Sequence, residues 1–379
     1  MKKILLIRNA YAFDFGGGER LPVDIAAELQ KYGHKALIVS RSPKLLEYAL
    51  MKNIPTVKGL WWRRQDWSGK NIILVPIYLI WQILLFFWYC QLIIRSSPDI
   101  VHPQSRDDFI GATLSAKLLR KKVVWSDYAD LKYIYQNNQI WYKNPVGKVV
   151  LFLSRFAEIV ILTSKSDKKL IEESLGEPAP SNHLVIHMGV SSIQISKAKR
   201  QDVDKTAVIF GATSRLVTTK GIAELIHAFN STSSKLPNVR LWLFGEGPDE
   251  EQFKRLAENN KHIVFWGYPE DTMERLASCD VFVHPSYHEG FSISLVEAAK
   301  LGLPIIACAV GGNPELVKDG ENGLLIEAKD SGVLAGAMEK LATNKSLREE
   351  YGKNARKTYE SSLVFEKIVR DKFVPLYEK

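Results

Sequence analysis

Short apolar runs bounded by polar or small residues recur along the chain, and most are followed by a stretch whose apolar positions keep helical spacing. In the first half these runs predict strands at Lys3–Ile7, Lys35–Ser40, Ile100–His102, Lys122–Trp125, Ile159–Thr163 and Leu184–His187. The second half predicts strands at Ala207–Phe210, Arg240–Phe244, Ile263–Gly267, Val281–His284, Ile305–Cys308 and Gly323–Ile326. Strands alternating with helices predict parallel sheets built from βαβ units. The alternation runs through twice, divided at Ser191–Asp204, which is poor in apolar residues and rich in Lys and Gln. The expected fold class is therefore α/β, with two Rossmann-like doubly wound domains, one over residues 1–195 and one over 205–360. No internal repeat or low-complexity tract interrupts the pattern.

One segment breaks the helical periodicity. Ile72–Ile94 contains no charged residue, and its length alone suffices for a transmembrane helix. A single crossing would split one domain between two compartments, which argues against spanning. Just before it stands Leu60-Trp-Trp-Arg-Arg-Gln-Asp-Trp67, aromatic and basic together, as interfacial anchors are. Two readings remain: monotopic insertion of residues 61–94 into the inner face of an anionic membrane, which we favour, and a buried core helix.

Candidate chemistry concentrates after the strand Val281–His284. Pro285 ends that strand, a small-residue turn follows, and Ser292 to Leu301 reads as a helix stopped by Gly302. A turn from a strand end onto a helix N-terminus is a seat for phosphate, because unpaired backbone N–H groups point outward there. Glu289 lies in the turn. Glu297 lies about one helical turn or more inside the helix, where a carboxylate suits the vicinal hydroxyls of a ribose. Arg215 and Lys220 follow the strand Ala207–Phe210 and precede a helix at Ile222–Phe229, a position suited to a diphosphate, although loop cations are often merely solvated. Gly16–Gly18 follow the first strand after a loop too long for a G-x-G-x-x-G fingerprint, so nicotinamide binding is disfavoured, and a flexible turn is the other reading.

The segment Pro285-Ser-Tyr-His-Glu-Gly-Phe291, with Glu289 and Glu297 eight apart, resembles the signature of retaining GT-B glycosyltransferases, in particular glycosyltransferase family 4. The resemblance extends through Ser214-Arg-Leu-Val-Thr-Thr-Lys-Gly221, Phe244-Gly-Glu-Gly-Pro248, Gly311-Gly-Asn-Pro-Glu-Leu-Val317 and Asp319-Gly-Glu-Asn-Gly-Leu-Leu325. At the N-terminus it takes in Gly16-Gly-Gly-Glu19 and Gly33-His34. It implies a GT-B fold with two domains facing a central cleft, and a C-terminal helix over 361–379 that packs back on the first domain. Arg215 and Lys220 would grip the donor diphosphate, Glu289 would contact the donor sugar, and Glu297 would hold the ribose. Gly290, Phe291 and Ser292 would complete that donor site. The base would be read near Gly267 and Tyr268, and Gly17 and Gly18 would face the nucleotide sugar. Many relatives carry a histidine after the strand Lys122–Trp125, but here the chain reads Ser126-Asp-Tyr-Ala-Asp130. Asp127 therefore joins Glu289, Arg215 and Lys220 as a candidate catalytic residue, placed to orient the donor sugar or acceptor hydroxyl, with Asp130 as a sugar or acceptor contact. His102 is the second candidate, and a purely structural histidine is its other reading. The implied reaction moves a sugar from UDP or GDP to an acceptor hydroxyl with retention, without a metal or other cofactor.

The composition, 46% hydrophobic and 25% charged over 379 residues, fits a folded two-domain enzyme. Cys90, Cys279 and Cys308 are widely spaced in apolar contexts, as reduced buried thiols are, and no Cys/His grouping has zinc spacing. The first residues read as a strand rather than a signal peptide, so a cytoplasmic location is expected. The charge is one-sided: residues 1–190 hold 26 Lys and Arg against 16 Asp and Glu, and the rest of the chain is nearly neutral. A basic half beside an apolar segment favours an anionic membrane over nucleic acid, and with it a glycan or lipid-linked acceptor. The alternatives are a soluble small-molecule glycosyltransferase, a GT-B sugar-nucleotide epimerase or phosphorylase, and a nucleic-acid-binding module. An epimerase would not need the apolar segment, and a nucleic-acid binder has no use for Arg215, Gly290 and Glu297 together.

Overall fold

The computed structural model describes residues 1–9, 17–60, 75–128, 145–198, 206–258 and 260–378. Two compact units divide the chain: Met1–His187 with Glu366–Lys379, and Met188–Phe365. The first contains seven parallel strands, β1 (Lys3–Ile7), β2 (Lys35–Ser40), β3 (Thr56–Lys58), β4 (Ile100–Pro103), β5 (Lys122–Asp127), β6 (Ile159–Leu162) and β7 (His183–Val185). Their order is 3-2-1-4-5-6-7. The second contains six, β8 (Val208–Thr213), β9 (Val239–Phe244), β10 (Ile263–Gly267), β11 (Val281–His284), β12 (Ile305–Cys308) and β13 (Gly323–Ile326), in the order 10-9-8-11-12-13. Central strands covered by helices on both faces must be apolar throughout, which is why Ile4–Ile7, Val281–His284 and Ile305–Cys308 are buried at every position. Each sheet reverses its winding once, between β1 and β4 and between β8 and β11. Crevices for ligands open at such points, beyond the carboxyl ends of the strands.

The expected strands agree with the observed ones to within three residues at each end. Among the described residues the short edge strand β3 is an addition. The division between units differs from the expectation. Residues after Met188 already join the second unit: Val190 N–H donates to Leu363 O (3.2 Å), Phe365 N–H to Val190 O (3.0 Å), and Ala198 N–H to Glu274 O (2.9 Å). At the far end a long helix runs through the expected boundary to Ser362, and the chain joins the first unit only from Glu366.

His102, on β4, is wholly buried, and both ring nitrogens are engaged within the first unit. Nδ1 lies 2.6 Å from the Tyr377 hydroxyl and Nε2 lies 2.7 Å from Ser126 Oγ. Burial pushes its pKa down to about 3, so the ring is neutral at ordinary pH. Of its two readings, the structural one fits this arrangement: His102 is a strut joining β4 and β5 to the C-terminal segment.

Four helices matter below: α1 (Gly17–Gln30), α2 (Pro43–Met51), α3 (Val75–Ser96) and α4 (Arg106–Leu118). The described part of the apolar segment forms α3, which has one buried and one exposed side. Tyr78, Gln82, Leu85, Tyr89 and Ile93, at helical spacing, face the core of the first unit. The polar tips on that stripe are satisfied by α4: Gln82 Nε2 donates to Asp107 O (2.9 Å) and the Tyr89 hydroxyl to Asp108 Oδ1 (2.6 Å). Gly111 on α4 sits where a Cβ would be 3.2 Å from the Leu85 Cβ, so the two helices pack closely. One face of α3 is therefore an integral part of the first unit's core. Its other face is apolar and exposed. Residues 61–74, with the Trp61–Trp67 cluster, lie outside the described residues, as do Gly16 and Asp130.

Candidate active site

In the second unit the β8/β11 crevice gathers most of the candidate residues. After β8 the chain passes Arg215, which is exposed, and enters a single 3₁₀ turn, Thr218–Lys220. That loop is fixed by its neighbours. Leu216 N–H donates to Glu246 O (2.9 Å), and Asp249 Oδ2 accepts from both the backbone N–H and the hydroxyl of Thr218 (2.7 and 2.8 Å). Gly221 then turns the chain into the next helix at φ 68°, and a Cβ there would lie 2.1 Å from Pro285 O. Only glycine lets the Lys220 loop lie against the loop that follows β11.

That second loop carries Glu289. Its carboxylate Oε1 accepts from Lys220 Nζ at 2.5 Å and lies 2.8 Å from His284 Nε2, and its side chain is only 12% exposed. His284, at the end of β11, is buried, and its Nδ1 faces Ser294 Oγ at 3.4 Å. Burial opposes charge on Glu289, but the Lys220 ammonium and His284 outweigh it and hold the carboxyl well below its usual range. Gly311, at φ 53°, backs the loop: a Cβ there would lie 1.6 Å from Glu289 O, and Gly312 N–H donates to Gly290 O (2.8 Å). The Gly-Gly pair noted in the sequence thus presses directly on the backbone that holds Glu289.

Ser292 opens the nine-residue helix Ile293–Leu301 without capping it through its side chain, which instead meets Ser294 Oγ at 3.0 Å. Its first backbone N–H groups are therefore not taken up by that serine, which suits an anion. Glu297 is half-buried, three residues after Ser294 and on the same helical face, so it stands on the side from which Ser294 reaches His284. Phe291 packs against the core and Gly290 is buried, so both shape the loop rather than its surface. Gly267 ends β10 at φ 64° and its carbonyl accepts from Gly245 N–H (2.7 Å), while Tyr268 beside it is 57% exposed. His284 had been read only as a strand terminus. The signal that it does more is its place at a buried strand end five residues before the turn glutamate.

In the first unit, Gly17 and Gly18 are the first residues of α1, not a free turn, and a Cβ on Gly18 would meet nothing within 4 Å. Asp127 ends β5, half-buried, beside the Ser126 that binds His102. These residues border the carboxyl edge of the first sheet.

The Lys220–Glu289 contact has a consequence for pH. A carboxylate whose folded pKa lies below its ordinary value of 4.5 stabilises the fold above that value and loses this contribution as pH falls below it. The melting-temperature gap between the native protein and Glu289→Gln is expected to be constant from pH 6 to 8 and to shrink below about pH 4.5. A gap that widens on acidification would contradict the assignment.

Known proteins give the site its context. The family model "Glycosyltransferase Family 4" matches residues 15–192, and "Glycosyl transferases group 1" matches residues 194–358. The chain is 28% identical over 280 residues to the sulfoquinovosyl transferase of Arabidopsis thaliana, covering 71% of this chain and 54% of that protein. It is 34% identical over 169 residues to a capsular polysaccharide biosynthesis glycosyltransferase of Staphylococcus aureus, covering 42% and 44%. In both cases the match spans about half of the relative's length. The Anabaena protein HepE, solved in complex with UDP and glucose, shares the fold over the full length of both chains, with a TM-score of 0.77 and 22% identity. Two family models that between them take in nearly the whole chain, on two parallel Rossmann-like sheets, make it a member of glycosyltransferase family 4 with the GT-B fold.

Proposed function

We propose that the chain is a retaining glycosyltransferase that transfers a sugar from UDP or GDP to an acceptor hydroxyl of a lipid-linked or cell-envelope glycan at the inner face of the cell membrane, without a metal. The observation that carries the donor assignment is the Lys220–Glu289–His284 cluster at the β8/β11 crevice, with Arg215 on the same loop as Lys220 and an uncapped helix N-terminus at Ser292. The diphosphate sits on that N-terminus and against Arg215 and Lys220, whose charges balance it as the leaving group develops. Lys220 is positioned by Glu289, and Glu289 in turn accepts from a sugar hydroxyl. Glu297 accepts from the ribose hydroxyls, and Gly267 and Tyr268 border the base.

In the transfer, the bond from the anomeric carbon to the phosphate oxygen breaks. The acceptor oxygen bonds the same carbon on the same face, and its proton passes to the departing phosphate oxygen. The protein needs no nucleophile for this step. It has to hold both substrates close and stabilise the diphosphate. Asp127, on the first sheet, orients the sugar or the acceptor hydroxyl. HepE, of the same fold, is described with UDP-glucose, and relatives named for capsular polysaccharide and lipopolysaccharide core biosynthesis agree with an envelope acceptor.

The test is release of UDP or GDP from a panel of sugar nucleotides, with and without a chelator. Release from one donor class that persists in the chelator is expected. No release from any donor, together with no binding of UDP or GDP, would overturn the reading.

A further inference from the structure

We infer that the outer face of α3, continued by α4 and by the next helix, α5 (Pro145–Ser154), is a docking plane for an anionic lipid bilayer. The inference deepens the membrane part of the proposed function and rests on it for the acceptor's location. Ile80, Ile83, Leu84 and Phe87 on α3 are each more than half exposed, on the side opposite the buried Tyr78–Ile93 stripe. Leu118 on α4 and Phe152 on α5 are likewise more than half exposed. α4 packs against α3 on one side and α5 on the other, so the three helices adjoin. Single exposed apolar residues are ordinary on a soluble domain, but four on one side of α3, with more on the two helices beside it, mark an interaction surface.

Charge decides between a bilayer and a second protein. α3 has no acidic residue and a single cation, Arg95, in its last turn. α5 also has none, and of the two aspartates in the first turn of α4, Asp108 is buried and Asp107 half-buried. Of the acidic residues nearby, Glu158 and Glu177 are occupied by Lys117 and Arg155, and Asp99, just past α3, accepts from the Lys3 backbone N–H. A net positive rim remains from Arg95 and from Arg120 and Lys121 just past α4, within a half of the chain that carries ten more basic than acidic residues. Like charge around an apolar face disfavours a second copy, whereas anionic headgroups complement the rim while acyl chains receive the face. The geometry also excludes the deep insertion that length alone would allow. Leu85 and Tyr89 are held in the core, so only one side of α3 enters lipid.

The test is flotation of the intact protein with vesicles of phosphatidylcholine alone or with phosphatidylglycerol. Binding to the anionic vesicles is expected to be at least about tenfold weaker for Ile83→Asn with Phe87→Asn, with an unchanged melting temperature. Arg95→Glu with Arg120→Glu should weaken it at low salt and make little difference at high salt, where headgroup attraction is screened. Leu85→Ser, by contrast, should lower the melting temperature. Nucleoside diphosphate release, read separately from soluble donor, should be unchanged in the two surface variants, so donor chemistry and docking fail independently. Native protein that does not float with anionic vesicles overturns the inference. So does a fall in melting temperature for the Ile83/Phe87 variant, which would mean that the face is covered within the chain. A concentration-dependent dimer abolished by the same variant would assign the face to a second copy and overturn it too.

Discussion

Replacing Arg215 or Lys220 by alanine is expected to lower turnover by about two powers of ten or more, because each removes a charge-assisted contact that strengthens as the diphosphate leaves. Their side effects should differ. Arg215 is exposed on its loop, and Arg215→Ala should melt as the native protein does. Lys220 is not a bystander of the fold, although its place in a polar loop suggests so. It holds the nearly buried Glu289, and Lys220→Ala leaves that carboxylate with His284 alone. A further loss of about 1–3 kcal/mol of stability is expected for that variant. Single-turnover rates at saturating donor, with thermal melting, separate the two effects. Near-native turnover in both variants would remove the diphosphate clamp from the mechanism.

Substitution of the two glutamates should split binding from chemistry. Glu297→Ala is expected to weaken binding of free UDP or GDP about tenfold or more, with little change in kcat, since ribose contacts exist equally in ground and transition states. Glu289→Ala should instead lower kcat by about a hundredfold, for two reasons. It loses the contact to the reacting sugar, and it releases Lys220 from the position that the 2.5 Å bond imposes. Glu289→Gln keeps the shape but not the charge, so it distinguishes loss of a hydrogen-bond acceptor from loss of the ion pair. Calorimetry with the free nucleotide is decisive for Glu297. Binding as tight as native would make it an ordinary surface glutamate.

Most strands were legible because buried parallel strands are short, apolar throughout and bounded by turn residues. β3 was not, since two half-buried residues and an exposed lysine at a sheet edge carry no such pattern. α3 was ambiguous for a physical reason. Periodicity reports a contrast between two faces, and a helix apolar on both has little contrast, even though one side is core and the other is not. The donor loops were legible through their punctuation, because glycines such as Gly221 and Gly311 stand where backbones touch. What their side chains do to one another was less so. That His284 shares the Glu289 carboxylate depends on the exact turn between them. A structural role for His102 was one of two readings, but its partner was out of reach, since Tyr377 stands 275 residues later.

That last contact bears on how the chain is made. Residues 1–187 leave the ribosome first, yet their unit is complete only when Glu366–Lys379 has emerged and Tyr377 has reached His102. Met188–Phe365 is continuous in sequence. During synthesis the upstream unit therefore cannot be complete until the whole downstream unit has been made, whereas domains usually finish in chain order. In the interval the apolar outer face of α3 has already left the exit tunnel.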